Sequence, residues 1–185
     1  MKNLGPYAWL EREAGPRLLK EALRHFGVVE AAGNHDNPTI LAWARELGLR
    51  DYRHDATAWC GLFLALCAQR AGYPPPATPL WALSWKTWGT AAPEPMLGDV
   101  LVFRRNVLDP ATHKSALYGH VGLYVGEDLR AFHVYGGNQS DQVCIQRIAR
   151  DRLVAGRRCA WRVGQPRNVR KVLLSSFGTL STAEA

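Results

Sequence analysis

Asp55-Ala56-Thr57-Ala58-Trp59-Cys60-Gly61-Leu62-Phe63 reads as a loop that turns into a helix, with a cysteine in the helix's first turn. Cys60, Phe63, Leu64 and Cys67 recur at i, i+3, i+4 and i+7, so they share one face. Cys60 therefore belongs to the buried side of the helix, at its open end. A thiol there gains from the positive end of the helix dipole, and its proton is expected to leave more easily. Gly72 and Pro74-Pro75-Pro76 end the helix. Asp55 reads as a cap for it, with Thr57 competing, or as a substrate ligand.

Upstream, the chain is helical. Pro16 suits a first helical turn, and Leu19, Ala22, Leu23 and Phe26 follow at helical spacing up to Gly27. Asn37-Pro38 is a cap and first-turn pair. It opens a second helix with Ile40, Leu41, Ala44 and Leu47 on one face, closed by Gly48. Tyr7, Trp9 and Leu10 mark a lead-in that packs on the body. Downstream, Trp81, Trp85 and Trp88 form a 4-3 stripe on a short fourth helix, either core packing or a sugar-stacking platform.

After Pro93 and Pro95 the pattern changes to strands. Gly98-Asp99 is a turn and Val100 to Phe103 a short apolar strand. Residues 104–118 read as a polar, irregular connection. In His120 to Gly126, Val121, Leu123 and Val125 point one way and His120, Gly122 and Tyr124 the other. Ala131 to Tyr135, Val143 to Ile145 and Arg158 to Val163 are the further strands expected. Helices first and strands afterwards predict an α+β fold with an antiparallel sheet. Residues 1–165 read as one domain and 166–185 as a C-terminal tail, in which Val172-Leu173-Leu174 and Phe177 are fit to dock.

The chain has 185 residues, 47% of them hydrophobic and 21% charged, which suits a soluble globular protein. No stretch approaches the ~18 consecutive apolar residues of a membrane span. Met1 to Glu13 lacks a basic start followed by an apolar run, so no secretory signal is expected and the chain is expected to be made in the cytoplasm. A net charge of +7 implies an acidic partner or surface. The dense basic run from Arg147 to Lys171 contains no nucleic-acid motif, and a solvated positive face is the simpler reading, so no nucleic-acid partner is expected. Cys60, Cys67, Cys144 and Cys159 show neither C-x-x-C nor zinc spacing, so reduced thiols and no metal are expected.

A thiol nucleophile needs an imidazole base held by a third polar group. His25 lies in a helical segment, His35 and His113 lie in polar loops, and His54 sits just before the Cys60 helix. His133 precedes Asn138 by an odd count, so on a regular strand the two face opposite ways. His120 begins a strand, and Asn138, at the end of the next one, lies beside it if the strands pair.

The order Asp-x-x-x-Trp-Cys at 55–60, Gly98-Asp99-Val-Leu-Val-Phe, Gly119-His120-Val-Gly-Leu-Tyr-Val-Gly, then Gly136-Gly137-Asn138-Gln139 resembles the NlpC/P60 and CHAP superfamily of cysteine peptidases and amidases. It resembles in particular the branch found in phage lysis proteins and interbacterial effectors. That branch carries a Gly-x-x-Glu-x-x-Gly segment, here Gly27 to Gly33 with Glu30, followed by Asn37-Pro38. The resemblance spans residues 7–163 and implies a papain-like fold with the cysteine helix packed on the sheet. By position it implies Cys60 as nucleophile, His120 as general base and acid, and Asn138 as the group that orients the imidazole, with Gln139 in reserve. The Cys60 N–H is an expected oxyanion donor. Glu30, Asp55, Trp59 and Gln139 are expected near the substrate. Two departures stand out: many CHAP domains have a glutamate where this chain has Gly136, and many NlpC/P60 members use a histidine as third group.

The resemblance implies hydrolysis of an amide or isopeptide bond of bacterial peptidoglycan through a Cys60 thioester, without a cofactor. The bond is the amide joining sugar to L-alanine, the γ-D-glutamyl–diamino-acid bond or a cross-link. Such a lysin or effector acts in the periplasm or at the cell wall after release or injection, and an effector's partners include a secretion apparatus and a cognate immunity protein. The rival expectations are a non-catalytic binding module of the same fold and a thiol acyltransferase.

Overall fold

The computed structural model describes residues 3–108, 115–161 and 164–182. A 3-10 helix, Gly5–Arg12, leads into three α-helices: α1 (Arg17–Leu23), α2 (Pro38–Glu46) and α3 (Cys60–Arg70). A second 3-10 helix, Ala82–Thr87, bridges to the strands. These are β1 (Thr90–Ala91), β2 (Val100–Leu108), β3 (Ser115–Glu127), β4 (Ala131–Gly136), β5 (Cys144–Ala149) and β6 (Leu153–Arg158). They form one antiparallel sheet in the order β1-β6-β2-β3-β4-β5. The α+β class with an antiparallel sheet is as the sequence order predicts.

The helices begin where local chemistry favours them. Asn37 caps α2 by accepting the Thr39 N–H at 2.8 Å, with Pro38 in the first turn. Arg70, in the last turn of α3, pairs with Glu46 of α2 at 2.6 Å. The 3.6-residue pattern assigns α3 one apolar face, yet every residue from Cys60 to Ala68 is buried. α1 and α2 cover one side of this helix and β3 the other, so it runs through the middle of the core.

The sheet has two apolar faces. Val100, Val102, Val121, Leu123 and Val125 join the helices in the main core. Leu101, Phe103, Tyr124, Phe132, Val134 and Ile148 form a second cluster. The alternation expected for 120–126 is therefore present. Trp85 and Trp88 are packed inside, their indole nitrogens donating to the Pro79 and Pro74 carbonyls at 3.0 and 2.8 Å. Trp81 is 57% exposed, so the stripe is core at two positions and surface at the third.

Two strand expectations change. Residues 104–108 and 115–118 are strand rather than irregular connection, because the β2–β3 ladder continues to Leu108 opposite Ser115 whatever the polarity of the side chains. Among the described residues the last strand is Leu153–Arg158, upstream of the expected 158–163, of which 162–163 lie outside the described residues. Its pairing with Val100–Phe103 and the fork of Arg158 on Asp99, at 2.8 and 2.6 Å, fix it there. Several arginines of the basic run are likewise tied into the fold: Arg147 to Asp128, Arg150 to Glu127 and Arg170 to Glu13.

The chain after 165 docks on this body. Leu174 N donates to Glu127 O at 2.8 Å, Glu127 N donates to Val172 O at 2.9 Å, and Phe177 packs on Tyr7 and His133. No helix among the described residues is long and apolar enough to cross a membrane.

Candidate active site

Strands β3 and β4 pair from Leu123 and Tyr135 onward, which leaves the first half of β3 without that neighbour. The start of α3 fills the opening. Cys60 is its first residue, with Trp59 at the N-cap and no side-chain cap. The Cys60 sulfur meets the backbone N–H of Val121, whose peptide bond joins it to His120. The N–H groups of Gly61 and of Cys60 itself also point at the sulfur. Burial nevertheless dominates and pushes the thiol above its ordinary value; the three N–H groups and the Arg105 charge pull it down by less. The easier proton loss expected from the helix dipole is thus outweighed, because Cys60 is only 2% exposed.

His120 is fully buried, and its Nε2 faces Gln139. Gln139 Oε1 stands 3.1 Å from His120 Nε2. The amide is fixed at its other end: Nε2 donates to Val134 O at 3.1 Å and to Cys144 O at 2.7 Å. With both N–H bonds committed there, Oε1 can only accept, so neutral His120 carries its proton on Nε2. The lone pair then lies on Nδ1.

Asn138 does not make this contact. β4 ends at Gly136, and Asn138 turns into the left-handed region at φ 55°. Its side chain is buried, and Oδ1 has no hydrogen-bond partner among the described residues. Ser140 and Asp141 are left-handed too, at 51° and 57°, so the loop curls tightly around Gln139.

Two glycines make room for this arrangement. A Cβ on Gly136 would lie 3.1 Å from Gln139 Oε1 and 3.3 Å from His120 Nε2. A Cβ on Gly137 would lie 2.7 Å from both Phe63 Cβ and Trp59 Cζ3, so only glycine lets this loop close on α3. The space beside Gly136 is thus taken up by the histidine–glutamine pair.

The Gly27 to Gly33 segment lashes the same loop to the helix. Gly27 N donates to Val143 O at 2.9 Å, Val143 N to Val28 O at 2.8 Å, and Glu30 N to Asp141 O at 2.7 Å. Glu30 Oε2 accepts the Trp59 indole N–H at 2.9 Å, and burial raises its carboxyl against the help of that bond. Glu30 and Trp59 are therefore brought to the Cys60 end of α3. Asp55 does not cap α3. Its Oδ2 accepts the N–H groups of Ala31 and Asn37 at 2.9 and 2.8 Å, and its own N–H goes to Asp36 Oδ1 at 2.9 Å. Asp55 fixes the 31–37 loop instead.

His133 faces away from the site, into a buried chain of its own. Nδ1 lies 2.7 Å from the Tyr7 hydroxyl and Nε2 2.9 Å from Asp128, which also holds Arg147 at 2.8 Å. His54 pairs with Asp36 at 3.2 Å, His25 packs edge-on to Trp43, and His113 lies outside the described residues. All four cysteines are free.

Two features of the site have no sequence signal: the Val121 N–H, which is backbone, and Arg105, which falls in the stretch that reads as irregular. Comparison with protein-family models, with curated proteins and with solved structures finds no match for this chain.

Proposed function

We propose that the protein is a cysteine hydrolase that cuts an amide or isopeptide bond in the stem peptide of bacterial peptidoglycan, with Cys60 as nucleophile, His120 as general base and acid, and Gln139 as the group that orients the imidazole. The observation that carries the reading is the meeting of α3 with β3: the Cys60 sulfur against the Val121 N–H, one peptide bond from a histidine whose tautomer is fixed. A papain-like arrangement and the wall substrate come from the motif resemblance. The net charge of +7 supports the substrate class, because cell walls carry acidic groups and attraction raises the encounter rate.

In this scheme His120 Nδ1 takes the Cys60 proton as the sulfur attacks the carbonyl carbon. The oxyanion is met by the N–H groups at the start of α3. Its collapse breaks the C–N bond, and His120 hands the proton to the leaving amine. The acyl group stays on sulfur as a thioester. His120 then deprotonates a water, which attacks the thioester and releases the acid and the thiol. Because the resting thiol is neutral, proton transfer accompanies attack rather than preceding it.

Digestion of purified wall by the intact protein and by Cys60→Ala, with the fragments weighed, tests this. The masses distinguish the sugar–L-alanine amide, the γ-D-glutamyl bond and the cross-link. Release by Cys60→Ala equal to wild type, or no release from several wall types, sinks the proposal. The competing reading is a non-catalytic binding module, and the raised thiol pKa is what favours it. That reading requires wall pelleting without cleavage and a Cys60 no more reactive to iodoacetamide than an ordinary thiol.

A further inference from the structure

The β2–β3 hairpin carries two side chains next to His120 that the hydrolytic scheme leaves unused. Phe103 lies opposite His120, and Arg105 lies opposite Tyr118. Directly opposed residues of an antiparallel pair share a face, as do residues two apart on one strand. Arg105 and Tyr118 therefore project from the same face as His120, about 7 Å further along the strands. Tyr118 is 55% exposed, a large aromatic ring at the rim of a buried imidazole. Arg105 is half-buried, and its charge reaches the Cys60 sulfur. Beyond the N-cap of α3, the residue bonded to Trp59 is an acid, Glu30. A cation thus stands on the His120 side of the nucleophile and an anion by Trp59.

We propose that Arg105 and Tyr118 form a carboxylate-binding subsite, which selects peptides bearing a free carboxylate beside the bond that is cut. The proposal rests on the hydrolase reading above and names what that site accepts. The guanidinium fork matches a carboxylate with two parallel hydrogen bonds, and a half-buried position keeps the pair from full screening by water. The tyrosine offers a ring for the peptide plane and a hydroxyl as a further donor. In a wall stem peptide, the γ-linked D-glutamyl unit carries such a group, its α-carboxylate. Conversion of that group to a carboxamide removes the charge at nearly constant shape, so the two forms separate charge recognition from fit.

The test uses N-acetyl-L-alanyl-γ-D-glutamyl-L-lysine with a free glutamyl α-carboxylate and the same peptide with an α-carboxamide. Calorimetry with the Cys60→Ala protein measures binding, and wild type measures turnover. The free carboxylate is expected to bind about tenfold more tightly or better, the scale of one charged hydrogen-bonded pair. Arg105→Gln brings the ratio of the two peptides to about one, while Arg105→Lys keeps part of the preference, because charge remains and the fork is lost. The ratio matters because any effect of Arg105 on the thiol is common to both peptides. Equal binding of the two peptides, binding of neither, or an equal loss on both in Arg105→Gln overturns the subsite. Preferential binding to Cys60→Ala without cleavage by wild type leaves the subsite standing and removes the hydrolase reading. Equal cleavage of both peptides removes the subsite and leaves the hydrolase.

Discussion

Replacing Gln139 by leucine tests the assignment of the imidazole's partner most directly. The side chain is fully buried; it accepts from His120 Nε2 at 3.1 Å and donates to Val134 O and Cys144 O at 3.1 and 2.7 Å. Leucine fills similar space and strands one donor and two acceptors. At about 1 kcal/mol net per bond, and more for a buried group left unsatisfied, the loss is about 3 kcal/mol of stability. Urea denaturation reads this as a lower midpoint with an unchanged slope. The imidazole also loses the acceptor that holds its proton on Nε2. Losing a bond worth ~1 kcal/mol and the single orientation it enforces predicts a fall in kcat of about tenfold to a hundredfold, with KM little changed. Wall digestion below the unfolding transition keeps the two effects apart. Asn138→Gly is the control. Glycine keeps the left-handed backbone at no steric cost and removes an amide whose Oδ1 makes no hydrogen bond among the described residues. Its activity is expected within about threefold of wild type, because only a solitary buried amide is lost. Near-normal activity in Gln139→Leu beside a large loss in Asn138→Gly would refute the assignment.

Three further outcomes follow from the geometry. Burial favours the neutral form of the Cys60 thiol, so thiolate absorbance near 240 nm, followed as the difference from Cys60→Ala, should titrate with a midpoint above 9; a midpoint below neutrality would mean a preformed ion pair. Gly136→Ala puts a methyl 3.1 Å from Gln139 Oε1 and 3.3 Å from His120 Nε2, so kcat should fall about tenfold while the urea midpoint moves little, and an unchanged kcat contradicts the packing. Burial raises the carboxyl of Asp128, but bonds from Arg147, the Arg130 N–H and His133 overcome it and hold the group below its usual range. A depressed carboxylate stabilises the fold fully above its unfolded value near ~4 and loses that contribution as pH falls toward its folded value. Urea midpoints from pH 6 down to pH 2 should therefore drop less steeply in Asp128→Asn than in wild type, and parallel curves would contradict this.

How much of the site the chain discloses is set by where regular structure stops. Cys60 at a helix start and His120 in an alternating strand are legible because both sit inside repeating geometry. Asn138 looks like the imidazole's neighbour for the same reason. Continuing the register of Leu123 with Tyr135 by three residues places Asn138 opposite His120. The ladder ends before that point: β4 closes at Gly136, Gly137 drops onto Trp59 and Phe63, and Asn138 turns left-handed. One residue later, the longer arm of Gln139 reaches back across the gap that Asn138 was expected to span. Periodicity has nothing to say about such a reversal, because it depends on Val134 and Cys144 offering two carbonyls at the right spacing. Asp55 departs from expectation in a related way. Sequence proximity assigns it to the helix that follows, whereas Ala31 and Asn37 bring it N–H groups from more than fifteen residues upstream. The Gly27 to Gly33 motif then gains a physical role that spacing does not disclose. It pairs with residues 141–143, holds Trp59 through Glu30, and so fixes the glutamine loop against the cysteine helix. On this view, removing the Glu30 carboxylate loosens Trp59, the residue before Cys60, while the Glu30 backbone N–H still holds Asp141 in the loop that follows Gln139.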